Sequence, residues 1–206
     1  CIAFEEARGE IPEAGILDPL LPTNAFADWN LGYVPYCDGS LFTGDAEIDE
    51  DGDGTIDRYH HGLANLTAAL EVIHAEFSEP PRIVLTGLSA GAYGTILAAA
   101  VARSIWPTTP INVVADGGIG LGQPGVEAFI VDILNEWNVM QIVPQSCPAC
   151  FSDGHATDLI GWAFERDPML RYAAVTSLED YVISTMFLGV GGENYKAEVR
   201  AETGDL

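Results

Sequence analysis

The sequence predicts an α/β fold with a mostly parallel sheet, and three observations lead to that prediction. Short apolar runs alternate with longer stretches whose apolar residues recur at three and four positions, a pattern typical of parallel strands joined by helices. A Gly-x-Ser-x-Gly motif separates one of these strands from an alanine-rich segment. Acidic residues follow several predicted strands, at the sheet edge where chemistry gathers. We therefore expect one domain over residues 1–206, with helices on both faces of the sheet.

The predicted elements follow an acidic, turn-rich segment at 1–28. They are a strand at 30–37, an amphipathic helix at 59–77, a strand at 82–86, a helix at 91–106, a strand at 111–115, helices at 126–137 and 156–165, a strand at 171–176 and the start of a helix at 181–188. Pro35 favours a strand end or an edge position for the first strand, because proline has no N–H to donate. The acidic loop at 44–58 is expected to be an insertion.

The motif at 87–91 fits a nucleophile elbow, the sharp strand-to-helix turn that presents a reactive serine. A serine at the tip of such a turn projects from the carboxyl end of its strand. The amide of the next residue points at the same place and can stabilise an oxyanion. The motif therefore predicts Ser89 as a nucleophile and the N–H of Ala90 as an oxyanion donor. The alternative is a glycine-rich turn that serves only close packing between strand and helix.

A hydrolase triad on this fold follows the chain order serine, acid, histidine. Asp180, or its neighbour Glu179, is the acid in that order, whereas Asp116 is expected to cap a turn or to support the elbow. The four histidines are His60, His61, His74 and His155, and none of them follows Asp180. We therefore expect the catalytic histidine to lie outside this chain. His155 is the alternative, because the chain order of a triad varies between folds.

The net charge of −23 restricts the expected partners. A strongly negative surface repels phosphate backbones and anionic lipids, so we expect neither nucleic acid nor a membrane surface as a partner. No apolar run reaches the length of about 18 residues that a membrane-spanning helix needs. These features favour a secreted or periplasmic protein, which we expect to be a monomer.

The cysteines are Cys1, Cys37, Cys147 and Cys150, which allow three disulfide pairings. We expect structural disulfides, as in exported proteins, with free thiols as the alternative. Cys147 and Cys150 form a lone C-x-x-C pair in a proline-rich loop. A zinc site would need a second pair or nearby histidines, and His155 alone does not provide that. A thiol–disulfide activity at this pair is a further hypothesis.

The acidic loop contains the Asp-x-Asp-x-Asp-Gly start of a calcium-binding loop. The predicted ligands are Asp49, Asp51, Asp53, the carbonyl of Thr55, and Asp57. His60 stands where the last ligand of an EF-hand would be a bidentate glutamate. We expect a structural calcium ion here, with a solvated acidic loop as the alternative, and no cofactor for catalysis.

Several motifs together resemble the pectin acetylesterase family, which includes plant and bacterial pectin deacetylases and the animal Notum-type carboxylesterases. The similar segments are Phe26-Ala-Asp-Trp29, Val34-Pro-Tyr-Cys37, Gly44-Asp45, Gly62-Leu-Ala-Asn65, Ala68-Ala-Leu70 and Gly87-Leu-Ser-Ala-Gly-Ala-Tyr-Gly94. The resemblance runs from about residue 25 to residue 180. It implies an α/β-hydrolase-like fold and ester hydrolysis by a Ser–His–Asp triad.

By this resemblance, Ser89 is the nucleophile, Ala90 contributes to the oxyanion hole and Asp180 is the triad acid. A glycine-rich turn of the family would lie upstream of Cys1, and its histidine downstream of Leu206. We therefore expect a fold that is incomplete at both termini and a chain that is inactive by itself.

The resemblance also implies a substrate, either an esterified polysaccharide or a small acyl ester. A neutral or still-esterified glycan suits the negative surface better than free pectin does. The alternative to an enzyme is a catalytically inactive, secreted binding module of the same fold, stabilised by calcium.

Overall fold

A computed structural model describes residues 15–123, 125, 126 and 128–204. The predictions for Cys1 and for the rest of the segment before residue 15 lie outside the described residues.

The described strands form two separate sheets. β1 (Ala46–Ile48) and β2 (Arg58–His60) make an antiparallel hairpin that carries the acidic loop. β3 (Ile83–Leu88), β4 (Ile111–Asp116) and β5 (Leu170–Val175) are parallel and lie side by side in that order. Leu88, Asp116 and Val175 stand in register at the carboxyl end of this sheet. The catalytic residues predicted from the sequence, Ser89, Ala90 and Asp180, lie at that end.

Five α-helices are described. They are α1 (Gly62–Glu76), α2 (Ala90–Ile105), α3 (Phe129–Glu136), α4 (Thr157–Arg166) and α5 (Gly192–Gly204). A π-helical turn (Val182–Phe187) follows β5, and short 3₁₀ turns lie at Gly15–Leu17 and Val139–Ile142. None of the described helices has both the length and the apolar character needed to cross a bilayer.

The main core lies on one face of the parallel sheet. Ile111, Val113 and Ala115 of β4 point into this face and are 0%, 2% and 0% exposed. Leu66 and Leu70 of α1, together with alanines of α2, pack against this face in one apolar cluster. The three strands follow chain order across the sheet, so right-handed connections place the helices between them on the same face. The α1, α2 and α4 helices all contribute to that cluster.

The α/β class and the parallel sheet predicted from the sequence are confirmed. Helices were expected on both faces, and within the described residues α1, α2 and α4 all pack on the same face. The helices predicted at 91–106 and 156–165 are observed as Ala90–Ile105 and Thr157–Arg166, within one residue of each predicted end. The strand predicted at 30–37 is wrong, because these residues adopt no regular strand. Pro35 removes one backbone donor there, and no described strand lies alongside.

Two further differences concern elements that tertiary contacts create. The helix predicted from residue 59 begins at Gly62, because residues 58–60 pair with 46–48 to form the hairpin. The α5 helix was not predicted, since most of its residues are polar. Its two buried apolar side chains, Tyr195 and Val199, are one turn apart and pack into a cluster beside Tyr93 and Leu121.

The C-x-x-C pair forms a disulfide between Cys147 and Cys150, with Cα atoms 5.4 Å apart. Cys150 is fully buried in a cluster with Leu97 and Phe151. A structural disulfide is therefore confirmed for this pair, and none of the described cysteines is free.

Candidate active site

The Ser89 backbone has the strained geometry of a nucleophile elbow. Its φ is 55° and its ψ is −113°, a region that residues other than glycine rarely occupy and that clusters at functional sites. Ser89 joins the last residue of β3 to the first residue of α2. Its N–H donates to the carbonyl oxygen of Asp116 at 2.8 Å. Asp116 thus supports the elbow from the adjacent strand through its backbone, one of the two roles predicted for it.

Glycine is required at the start of the elbow because the chain folds back on itself there. A Cβ atom on Gly87 would lie 2.3 Å from the backbone carbonyl of Gly91, well inside any tolerable contact. The spacing of the Gly-x-Ser-x-Gly motif therefore has a direct steric cause. The alternative of a turn that serves only close packing does not by itself require the strained backbone of Ser89.

The predicted oxyanion donor, the N–H of Ala90, lies at the N-terminus of α2 directly after Ser89. Ala90 is the first residue of α2, so its N–H has no acceptor within the helix. The helix dipole adds positive potential at the same place. A negative charge that develops beside Ser89 would therefore meet both the amide and the helix terminus.

Asp180 lies beside the elbow, on the loop that follows β5. Its Oδ1 accepts a hydrogen bond from the N–H of Ile183 at 2.9 Å, which fixes the orientation of the carboxylate. The Cβ position of Gly117 is 3.6 Å from Oδ2 of Asp180 and 3.8 Å from the backbone N of Ser89. The fold thus brings Ser89 and Asp180 together across the glycine turn after β4, although 90 positions separate them in sequence.

The neighbouring Glu179 is a weaker candidate for the acid. Its backbone N–H is held by Ser177 Oγ at 3.1 Å, and the residue is exposed, whereas Asp180 is half-buried. The partly buried carboxylate next to the elbow is Asp180. Sequence order alone left these two acids as alternatives, and their burial separates them.

All four histidines lie within the described residues, and each is engaged away from the elbow. Nδ1 of His60 lies 2.8 Å from the carbonyl oxygen of Asp38, and Nε2 of His61 lies 3.6 Å from Glu47. His74 packs edge-on against the ring of Trp106. These contacts agree with the expectation that a general base comes from outside the described residues.

His155 also has a structural role. Its Nδ1 accepts a hydrogen bond from the N–H of Gly122 at 2.9 Å, and its Nε2 lies 3.9 Å from Glu198. His155, Glu198 and Glu202 could by spacing hold a metal ion. However, an Nδ1 that accepts a hydrogen bond places the proton of the neutral ring on Nε2. That proton faces Glu198, so the lone pair needed for a metal is not directed at the carboxylates.

Two buried tyrosines, Tyr93 and Tyr195, lie in one apolar cluster behind the elbow, and the sequence did not single them out. Tyr93 lies one helical turn after Ser89, and its hydroxyl donates to the carbonyl oxygen of Leu121 at 2.9 Å. Burial raises the pKa of Tyr93, and the negative charge of Asp180 adds to that rise. Burial also raises the pKa of Tyr195, again with a contribution from Asp180. The only available sequence signal was the position of Tyr93 in Gly-Ala-Tyr-Gly after the elbow.

The acidic loop brings only some of its predicted calcium ligands together. Carboxylate oxygens of Asp49, Asp51 and Asp57 lie within 4.8 Å of one another. Asp53 is not in this group, and its Oδ1 accepts from the N–H of Thr55 at 2.7 Å. The N–H groups of Gly54 and Gly52 donate to Asp49 at 2.8 and 2.7 Å. The hydrogen bond from Gly54 is the largest cause of a lowered pKa for Asp49.

His60 does not complete this loop. It pairs with Ala46 at the far end of the hairpin and is 4% exposed. Three carboxylates are ligands of the kind that calcium prefers. Asp53 is not part of the group formed by Asp49, Asp51 and Asp57, and no described contact places the carbonyl of Thr55 beside that group.

Comparison with known proteins shows which family the chain resembles. The family model described as Pectinacetylesterase matches residues 6–154. Pectin acetylesterase 4 of Arabidopsis thaliana is 28% identical over 149 residues, which are 68% of this chain and 36% of that protein. Pectin acetylesterase 11 of the same plant is 30% identical over 143 residues, 65% of this chain and 36% of that protein. No solved structure matches the chain.

The residues that match the family model include the elbow but not the predicted triad acid, Asp180. Ser89 and Ala90 lie inside the residues that match the family model, whereas Asp180 lies beyond them. The chain spans about a third of the length of the curated relatives it matches. The family model covers most of the chain and the strained elbow geometry lies within the matched region, so this chain belongs to the pectinacetylesterase family.

Proposed function

We propose that the complete protein is a secreted serine carboxylesterase that removes acetyl or other acyl groups from an esterified polysaccharide. The observation that carries this proposal is the strained Ser89 with the carboxylate of Asp180 on the same edge of the sheet. The family match supports ester hydrolysis, and the names of the relatives refer to pectin acetyl esters.

The proposed reaction proceeds through an acyl-enzyme. Ser89 Oγ attacks the ester carbonyl carbon while a histidine from outside the described residues accepts the serine proton. The N–H of Ala90 stabilises the oxyanion of the tetrahedral intermediate. The alcohol of the sugar then leaves with the proton from the histidine. Water attacks the acyl-enzyme in the same way and releases the carboxylic acid, while Asp180 keeps the histidine oriented.

The negative charge of the protein favours one kind of substrate. With a net charge of −23, the surface repels polymers that already carry many free carboxylates. We infer that a neutral or largely esterified glycan, or a small acyl ester, binds better than de-esterified pectin. An inactive binding module remains the alternative function, and it predicts no serine-dependent hydrolysis.

Substitution of Ser89 tests this proposal. In the protein expressed from its complete reading frame, Ser89→Ala should lower hydrolysis of 4-nitrophenyl acetate by about three orders of magnitude or more. Ser104→Ala is the matched control, since Ser104 is exposed on α2 and its hydroxyl donates to the carbonyl oxygen of Val101. Equal rates for Ser89→Ala and the unchanged protein would contradict the assignment.

We also propose that the acidic loop holds a structural calcium ion, with Asp49, Asp51 and Asp57 as the first ligands. Three converging carboxylates support this proposal, and binding would draw Asp53 and the carbonyl of Thr55 inwards. Isothermal titration with calcium should give heat for the unchanged protein and little heat for Asp51→Ala. Asp132→Ala, in the first turn of α3, is the control. No heat from the unchanged protein, or the same heat from Asp51→Ala, would end the idea.

A further inference from the structure

The loop that follows β4 passes between the two predicted catalytic side chains. Residues 117–122 read Gly-Gly-Ile-Gly-Leu-Gly, and all six are buried. We call these residues the glycine loop. The Cβ position of Gly117 is 3.8 Å from the backbone N of Ser89 and 3.6 Å from Oδ2 of Asp180, and that of Gly118 is 3.0 Å from the carbonyl oxygen of Ser89. A displacement of the glycine loop therefore changes the separation of Ser89 and Asp180.

The far end of the glycine loop is anchored by three hydrogen bonds to other segments. They join the carbonyl oxygen of Gly120 to the N–H of Ala156 at 2.7 Å, the carbonyl oxygen of Leu121 to the hydroxyl of Tyr93 at 2.9 Å, and the N–H of Gly122 to Nδ1 of His155 at 2.9 Å. In the first two, the loop accepts a proton donor. In the third, the loop donates, and His155 provides the acceptor.

The surroundings of His155 keep Nδ1 available as that acceptor. The residue is 7% exposed, and its Nε2 lies 3.9 Å from a carboxylate oxygen of Glu198 on α5. A neutral ring that accepts at Nδ1 carries its proton on Nε2, and the carboxylate favours that tautomer. The backbone N–H of His155 also donates to Oδ1 of Asp153 at 2.9 Å. Both the ring and the backbone of His155 are thus fixed relative to the glycine loop.

Loss of the His155 acceptor would move the glycine loop. A buried N–H without a partner costs about 1–3 kcal/mol, so Gly122 would shift towards another acceptor. The shift would be transmitted along a short, buried segment to Gly117 and Gly118. A displacement of about 1 Å between reacting groups can lower the rate about 100-fold.

We propose that His155 is a positioning residue for ester hydrolysis, whose Nδ1 holds the glycine loop and thereby the separation of Ser89 and Asp180. This role rests on the proposed function. It differs from the role of general base, because the Nδ1 lone pair is used by Gly122 and Nε2 carries the proton that faces Glu198. His155 therefore acts through the loop and takes no proton from Ser89.

Two substitutions in the complete protein separate these roles. His155→Asn places an oxygen near the position of Nδ1, where it can accept from Gly122, whereas His155→Leu provides no acceptor. With 4-nitrophenyl acetate, His155→Leu should lower kcat about 10–100-fold and change KM by less than about threefold, and His155→Asn should keep kcat within about threefold of the unchanged protein. An unchanged kcat for His155→Leu would overturn the proposal. A kcat for His155→Asn as low as that of Ser89→Ala would also overturn it, and would identify His155 as the base.

His60→Leu is the matched control, since His60 is also buried, at 4% exposed, and its Nδ1 also contacts one backbone group, the carbonyl oxygen of Asp38. Both leucine variants should lower Tm, but His60→Leu should keep kcat within about twofold. An equal fall in kcat for both would overturn the proposal, because general destabilisation would then explain it. If His155→Leu does not fold, the kcat of His155→Asn still decides between a positioning residue and a base.

Hydrogen exchange tests the anchor without any need for esterase activity. The amide of Gly122 should exchange at least about tenfold faster in His155→Leu than in the unchanged protein, and His155→Asn should restore the slow rate. Equal exchange in all three would overturn the proposal. If Ser89→Ala leaves hydrolysis unchanged, the proposed function fails, and exchange at Gly122 still shows whether His155 holds the glycine loop.

Discussion

The elbow at 87–91 and the acidic loop at 49–57 have similar residues, but the partners that stabilise them come from different parts of the chain. Both are tight turns that contain glycine, and both place a carboxylate near a backbone N–H. In the elbow the partners are remote in sequence, since Asp116 accepts from Ser89 and Asp180 lies across Gly117. In the acidic loop, the N–H donors to Asp49 come from the loop itself.

The two regions differ in the backbone strain that their surroundings can stabilise. The positive φ of Ser89 costs about 1–3 kcal/mol, and such strain persists only where the surrounding structure fixes the residue. The acidic loop is stabilised by hydrogen bonds to Asp49 from within the loop. Its positive φ angles occur at Gly52 and Gly54, and glycine adopts them without strain. Three predictions test this contrast, in order of expected size.

The largest effect is expected at the acid beside the elbow. In the complete protein, Asp180→Asn should keep the hydrogen bond from Ile183, because an amide oxygen can accept it, and should lower kcat by about 10³–10⁴-fold. Thermal unfolding should change little. Asp153→Asn is the matched control, since Asp153 also accepts a backbone N–H, from His155 at 2.9 Å. An unchanged kcat would show that Asp180 only shapes the loop.

A smaller effect, on stability, is expected at the first glycine of the elbow. Gly87→Ala would place a Cβ atom 2.3 Å from the backbone of Gly91, and relief of that overlap must move backbone. We expect a loss of about 3 kcal/mol and a fall in Tm of about 10 °C. Calorimetry of the purified variant measures both. A Tm within 2 °C or so of the unchanged protein would mean that the elbow is free to relax.

The smallest effect is expected for the corresponding change in the acidic loop. Gly54 has a φ of +90° and open space around the position of a Cβ atom. Gly54→Ala should therefore cost only the backbone strain, about 1 kcal/mol, with a fall in Tm of about 3 °C. Denaturant titration provides the second measurement. A loss as large as that of Gly87→Ala would show that the two turns are constrained alike.

Local signals were enough to predict the central part of the fold. The apolar runs at 83–85 and 111–115 and the helical periods around them led to β3, β4, α1 and α2. The spacing of Gly87 and Gly91 led to the elbow because its cause is steric and lies within five residues. The order of residues along the chain predicts Asp180 or Glu179 as the acid, and the structure adds that Asp180 is half-buried whereas Glu179 is exposed.

Other elements could not be read from local patterns. The hairpin of residues 46–48 and 58–60 depends on pairing across the acidic loop. The local apolar spacing instead predicts a helix that begins at residue 59. The α5 helix buries only Tyr195 and Val199, and its position depends on a cluster that other segments build. Residues 30–37 have the composition of a strand without a neighbour to pair with, and a strand requires a partner for its backbone groups.

The α/β class, the elbow and the residues predicted to act there could all be inferred from local patterns, because steric and periodic constraints act over a few neighbouring positions. The folded chain was needed to show that Asp116 and Asp180 lie near Ser89, that the four histidines lie elsewhere, and that the described residues leave one face of the sheet uncovered. Those features depend on strand order and on connection handedness, which bring together residues far apart in the chain.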